Sequence, residues 1–284
     1  MAGPIVDIHP HIIAADQERY PLSPLFGIQS GWSRDRPADM GQLIAAMDGA
    51  GVAKAAIVHA STCYGFDNSY VVDSVQNYAG RCTAVGSVDM LADGAVEEAK
   101  RWLDRGLTGL RIFTGGSTKD VDASSLDDRA AYPVWELMNE RGLPICVQTD
   151  VSGIPAMMSL AKRFPNVPVI VDHFAAPDAS GGSDFTAAQP LFSMAERANI
   201  YLKFTPIVTL RLEEFSANVI DLMTKVVSVF GSDRIAWGSN FPNSPGTLAE
   251  IVAAGEAALS GVGSKDRDAI MGGTGQRLYP SLAV

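Results

Sequence analysis

Cysteine is scarce in this chain. Cys63, Cys82 and Cys146 are the only three, too few for a disulfide framework and suited to a reducing compartment. Histidine is nearly as rare, with four in 284 residues. Charged residues make up 19% of the chain, too little for a solvated tail or a disordered protein. Cations are outnumbered, so the net charge is −10 and neither nucleic acid nor an anionic membrane surface is an expected partner. No uncharged apolar run approaches membrane-spanning length. Met1-Ala2-Gly3-Pro4 lacks the basic and apolar regions of a signal peptide. These absences lead us to expect a soluble cytoplasmic protein whose partner is a small molecule. An anionic substrate stays open, because a few local cations can line a pocket in an acidic protein.

What the chain does have is apolar content, 47%, in a repeating rhythm. Eight strand-like runs can be read. They are Ile5–His11, Lys54–His59, Thr83–Val88, Gly109–Phe113, Leu143–Gln148, Val167–His173, Ile200–Phe204 and Arg234–Trp237. Nearly all are followed by a helical pattern. The helices are expected at Ala38–Ala50, Asn68–Ala79, Ala95–Arg105, Ala130–Arg141, Ile154–Arg163, Ala187–Arg197, one long stretch from about Leu212 to Phe230, Leu248–Leu259 and Lys265–Met271. Gly51, Gly106 and Gly142 supply helix stops. Strict alternation implies parallel strands with right-handed crossovers. Eight units in a chain of this length predict a single (β/α)8 barrel spanning 1–284, with an open doubly wound sheet as the runner-up. The stretch from Ile12 to Pro37 reads as a long irregular connection whose Tyr20, Phe26 and Trp32 would roof a pocket. The closing segment Leu278–Val284 could pack on its own barrel or on a second copy, which leaves homo-oligomerisation open.

The chemistry follows from where the histidines fall. His9 and His11 share a face at the end of the first strand. His59 ends the second strand and His173 the sixth. In a (β/α)8 barrel all four would sit on the C-terminal rim, where such barrels place their active sites. Imidazoles so grouped can polarise a carbonyl or hold a divalent ion. Arg111, Gln148, Lys203 and Asn240 fall on the same rim, and Ser61 follows the second strand. Each has a structural alternative. Arg111 and Lys203 could bridge to Asp7 or Asp172, Gln148 could satisfy a loop carbonyl, and His59 could be a hydrogen-bonded core residue.

Three motifs carry a likeness. Asp7-Ile8-His9-Pro10-His11, Val171-Asp172-His173 and Trp237-Gly238-Ser239-Asn240-Phe241-Pro242 together resemble the amidohydrolase superfamily. The likeness is to its lactonase-like branch, which includes 2-pyrone-4,6-dicarboxylate lactonase and sugar lactonases. Lesser matches at Arg36-Pro37-Ala38, Tyr64-Gly65, Gly109-Leu110-Arg111 and Arg163-Phe164-Pro165 extend it nearly end to end. The resemblance implies a barrel hydrolase in which water attacks a carbonyl. An acidic residue at the eighth strand activates that water, and His9, His11 and His173 stabilise the oxyanion. Ser61, Arg111, Gln148, Lys203 and His59 would orient the substrate. Members of this branch often need no metal, so no cofactor is the first expectation. A single zinc on His9, His11 and His173 is the alternative, and it would suit an amidase or decarboxylase.

The chain departs from the pattern in three places. Position 240 is Asn where the motif has Asp, and a neutral amide cannot act as a base. We therefore expect a hydrolase of low or absent activity, or a non-catalytic binding barrel. Phe174-Ala175-Ala176-Pro177 lacks the arginine of the dicarboxylate lactonase, which disfavours a dicarboxylate substrate. Gln148 stands where metal-dependent relatives carry a histidine or modified lysine, which argues against a two-metal centre.

Overall fold

The computed structural model describes residues 3–284. Its eight strands are β1 (Ile5–Asp7), β2 (Val52–Val58), β3 (Cys82–Gly86), β4 (Leu107–Phe113), β5 (Ile145–Gln148), β6 (Val169–Asp172), β7 (Ile200–Phe204) and β8 (Ile235–Trp237). They lie parallel in the order of the sequence. The Ile8 N–H donates to the Trp237 carbonyl at 3.2 Å and joins the last strand to the first. This is the (β/α)8 barrel that the alternation predicts.

Alternation along each strand divides the apolar residues between two cores. On β2, Ala56 and Val58 face the barrel axis, while Ala55 and Ile57 pack outward under the helices. The axis is filled by small and branched residues such as Val85, Ile170 and Ala236. Its base is closed by the chain's own end, because Leu278, Tyr279 and Leu282 join the same cluster. The closing segment therefore packs on its own barrel.

Local chemistry sets the element ends. Helix Met40–Ala50 opens on a capping box between Asp39 and Gln42 and stops at Gly51, whose φ is 70°. That left-handed stop favours glycine. The helix starts two residues later than the apolar pattern predicts, because the Asp39 side chain is the cap. The single helix expected from Leu212 to Phe230 is instead two, Pro206–Glu213 and Val219–Phe230. The chain breaks at Ser216, with φ 51°, and Asn218 caps the second helix. The expected helix Ala187–Arg197 shrinks to Gln189–Ser193, flanked by 3-10 turns. The connection after β1 is less irregular than expected: it contains a short helix at Gly31–Asp35, and Trp32 on it packs at 5.3 Å from His11. No helix among the described residues is long and apolar enough to cross a membrane.

Candidate active site

The β1 strand is held in place at its rim end by a carboxylate. Asp7 Oδ1 accepts the His9 N–H at 2.9 Å and the Ser239 N–H at 2.8 Å, tying β1 to the loop after β8. Burial pushes the Asp7 carboxyl above its usual range. Gly238 lets the two loops meet, since a Cβ there would lie 2.5 Å from the His9 Cβ. His9 is thereby seated at the top of the axial core, fully buried. Its ring lies 4.9 Å from His11 and 5.0 Å from His173, edge to face with each.

His173 arrives by a different route. The four residues His173–Ala176 have φ of 53°, 58°, 56° and 47°, a left-handed turn that L-residues avoid at a cost of roughly 1–2 kcal/mol each. Phe174 and Ala175, both 0% exposed, anchor the turn in the core. Strain of this kind concentrates at functional sites. Here it accompanies a 2.7 Å contact between His173 Nδ1 and Thr205 Oγ1, at the end of β7.

Beneath the imidazoles lies a buried charge cluster. Lys203 Nζ is 2.7 Å from Asp172 Oδ1 and 2.9 Å from His9 Nδ1. It also contacts Cys146 Sγ at 3.3 Å. Arg111 Nε donates to Asp172 Oδ2 at 2.8 Å. Burial alone would raise the Asp172 carboxyl, but the Lys203 and Arg111 charges outweigh it and hold the group well below the usual carboxylate range. The bridge to Asp172 anticipated for Arg111 and Lys203 is thus formed, by both at once. Burial, reinforced by nearby cations, lowers His11 to about 3 and holds His9 well below the usual histidine range. Burial also lowers His173 to about 4, against the pull of Asp172. All three imidazoles are therefore neutral near pH 7.

The hydrogen bonds fix two tautomers. An ammonium has donors only, so His9 Nδ1 accepts from Lys203 and the neutral ring carries its proton on Nε2. That Nε2 is buried without a partner among the described residues. His11 is the reverse: its Nδ1 donates to the Val58 carbonyl at 2.8 Å, leaving a lone pair on Nε2.

A cavity of about 390 Å³ opens above this cluster. Of the residues expected at the site, His11, Ser61, Arg111, Gln148, His173 and Asn240 line it. His9 and Lys203 lie beneath it, both 0% exposed. His59 is not brought in. Its Nε2 bonds the Gly65 carbonyl at 2.9 Å and its ring packs near Tyr64, which is the hydrogen-bonded core role and not substrate contact. Ser61 Oγ bonds Ser87 Oγ at 3.0 Å. Asn240 adopts φ 53° and its Nδ2 donates to Ser244 Oγ at 3.2 Å. The left-handed region favours Asn and Asp among non-glycine residues, so either fits there. Thr149, Asn243 and Trp32 also line the cavity. Trp32 belongs to the aromatic roof read from the sequence, whereas Thr149, Asn243 and the His173 partner Thr205 carried no recognisable signal beyond lying at or after a strand end.

The amidohydrolase family model matches residues 6–281. The chain belongs to the amidohydrolase family. The L-fucono-1,5-lactonase of Burkholderia ambifaria is 24% identical over 187 residues, covering 63% of this chain and 61% of that enzyme. Among solved structures, one assigned as a 2-pyrone-4,6-dicarboxylic acid hydrolase, from Pseudomonas putida, superposes with a TM-score of 0.78 at 19% identity, over the full length of both chains. An amidohydrolase from Burkholderia multivorans with bound zinc superposes at 0.77 with 18% identity, covering 98% of this chain and 99% of that one. These structures share the amidohydrolase barrel with this chain.

The zinc in that relative raises the question of whether this amidohydrolase site suits an ion. His9, Asp172 and His173 each offer a donor atom within 4.8 Å of the others. Two of the three, His9 and Asp172, are nevertheless engaged. Asp172 faces two cations, His9 Nδ1 takes Lys203, and His9 Nε2 carries the proton. An ion held by these three groups does not fit while Lys203 stays in place. The lone pairs left on His11 and His173 make two ligands, short of the three or four that zinc takes.

Proposed function

We propose that this amidohydrolase opens the ring of a small lactone, and that Asn240 leaves the present chain slow. The observation that carries the reading is the His9 Nε2–H, a buried donor without a partner beneath the cavity that His11, Arg111 and His173 line. It is the kind of group that a substrate carbonyl oxygen satisfies and that stabilises negative charge as that oxygen becomes an oxyanion. The family and the likeness to a sugar lactonase support the same chemistry.

In this reading the lactone carbonyl rests against His9, with His11 and His173 on either side. Arg111, neutralised only in part by sharing Asp172 with Lys203, holds a polar or anionic substituent. Ser61 and Gln148 orient the remaining oxygens. Water attacks the carbonyl carbon and gives up one proton to a base. The ring C–O bond then breaks, its oxygen takes that proton, and a hydroxy acid leaves. An aspartate at 240 is the base that the motif expects. With Asn there, the proton acceptors lining the cavity are His11 and His173, neutral but weakly basic, and proton transfer is inefficient. Lys203 acts through His9, by keeping its proton on Nε2, and Asp172 acts through Lys203 and Arg111.

Acid release from a panel of five- and six-membered lactones tests the reading. Turnover of at least one lactone after Asn240→Asp is the expected result, and no turnover across the panel refutes it. Elemental analysis of purified protein tests the donor argument separately. The expectation is less than about a tenth of an equivalent of any divalent metal, while a full equivalent of zinc would show that Lys203 yields its place.

A further inference from the structure

A second cavity, of about 290 Å³, adjoins the first and shares Arg111 and Phe113 with it. It is built by the four consecutive loops that follow β1 to β4, all on the rim that carries the site. Its floor is apolar, with Val88, Met90 and Leu126 all buried. Its mouth joins the exposed polar side chains Asp89, Lys119, Asp122 and Ser125 to three exposed apolar ones. Phe26, Phe66 and Leu91 line it at 44%, 36% and 45% exposure. They are three of the seven large apolar side chains that the described residues leave exposed.

Phe26 adds a separate observation. It sits at φ 64°, a left-handed conformation that is an outlier for a bulky residue. Its ring lies 6.4 Å from Phe113 on the shared wall, and Lys119 Nζ sits 4.0 Å over its face. A loop strained to hold a half-exposed aromatic ring at a cavity mouth fits a ligand better than it fits packing.

We propose that this annex takes an apolar, ring-sized substituent of the substrate. The preferred lactones would then carry an aryl or branched alkyl group and not hydroxyls alone. The inference rests on the lactone-hydrolase reading for the reacting end of the molecule. The continuity of the two cavities at Arg111 and Phe113 carries the other end. A cavity of ~150 Å³ suffices for benzene, so the annex has room for a phenyl group. Even one methylene in an apolar pocket changes discrimination by roughly tenfold or more.

Two measurements test this together. The first titrates the intact protein calorimetrically with 4-phenylbutanoate and with butanoate. The phenyl compound is expected to bind at least about tenfold tighter. That margin should fall severalfold in Phe26→Ala and vanish in Ser125→Trp, which fills the annex from an exposed lining position. Equal binding of the two acids, or a margin that survives Ser125→Trp, overturns the proposal. The second compares δ-valerolactone with its 6-phenyl derivative as substrates of the Asn240→Asp protein. A higher kcat/KM for the phenyl lactone, reduced severalfold in Phe26→Ala and lost in Ser125→Trp, supports the annex. Equal rates overturn it and leave the lactonase reading standing. If neither lactone is hydrolysed, nor any other of the panel, the hydrolase reading falls, and the titration alone decides whether the annex binds apolar rings.

Discussion

Replacing Lys203 by Met tests the charge cluster beneath the site. Lys203 is fully buried, with its Nζ 2.7 Å from Asp172 Oδ1. At an effective dielectric of ~20, a pair at that separation attracts by about 6 kcal/mol. Desolvation of both groups offsets much of this. What the substitution exposes is the remainder, the cost of leaving a buried carboxylate with one partner fewer. Breaking buried pairs costs roughly 3–5 kcal/mol. Arg111 stays on Oδ2 at 2.8 Å, so the low end applies and the expected loss is about 3 kcal/mol near pH 7.

Guanidinium unfolding followed by tryptophan fluorescence measures that loss, and its pH dependence carries a further signature. Because Asp172 is held below the usual carboxylate range in the folded protein, its ionised form stabilises the fold above about pH 4. That contribution is lost as pH falls through the usual range toward the depressed folded value. The deficit of Lys203→Met should therefore be full at pH 7 and shrink in acid. A third readout is the His9 tautomer by nitrogen NMR. With Lys203 present the proton belongs on Nε2, and in Lys203→Met it is free to move to Nδ1. A stability loss under about 1 kcal/mol, or a wild-type His9 protonated on Nδ1, would refute the reasoning.

Two further predictions concern His59 and the metal. Burial lowers His59 to about 4, below its ordinary value of about 6.5. Its stabilising effect is complete above pH 6.5 and is lost as pH falls toward 4, by roughly 3 kcal/mol. His59→Gln keeps a donor for the Gly65 carbonyl, so it should flatten that part of the pH–stability curve without altering lactone hydrolysis. An unchanged slope would contradict the assignment. The committed donors of His9 and Asp172 predict that dialysis against a chelator leaves both thermal stability and turnover of the Asn240→Asp protein unchanged, and a loss of either would point to a bound ion.

The barrel was legible because its signal is periodic: eight apolar runs and intervening helical patterns leave few topologies open. Helix ends and breaks were less so. The kink at Ser216 depends on a left-handed backbone that no residue pattern announces, and the Asp39 cap shifts the start expected at Ala38. At the site, position along the chain located His9, His11, His173, Arg111 and Asn240 because strand ends map to one rim. It could not tell lining from support. His59 and Lys203 also end or nearly end strands, yet one turns to a loop carbonyl and the other lies under His9. The left-handed turn at His173 and the annex around Phe26 arise from loops, whose conformations depend on tertiary contacts more than on local propensity.

The most direct test of the central claim is a side-by-side assay of this chain and its Asn240→Asp form on the lactone that the latter hydrolyses best. Position 240 is 1% exposed, lines the cavity with His11 and His173, and holds a backbone conformation that suits either residue. Restoring a carboxylate there should raise kcat by about 10²–10⁴-fold with little change in the fold. Equal rates for the two proteins would place the base elsewhere and contradict the role assigned to position 240.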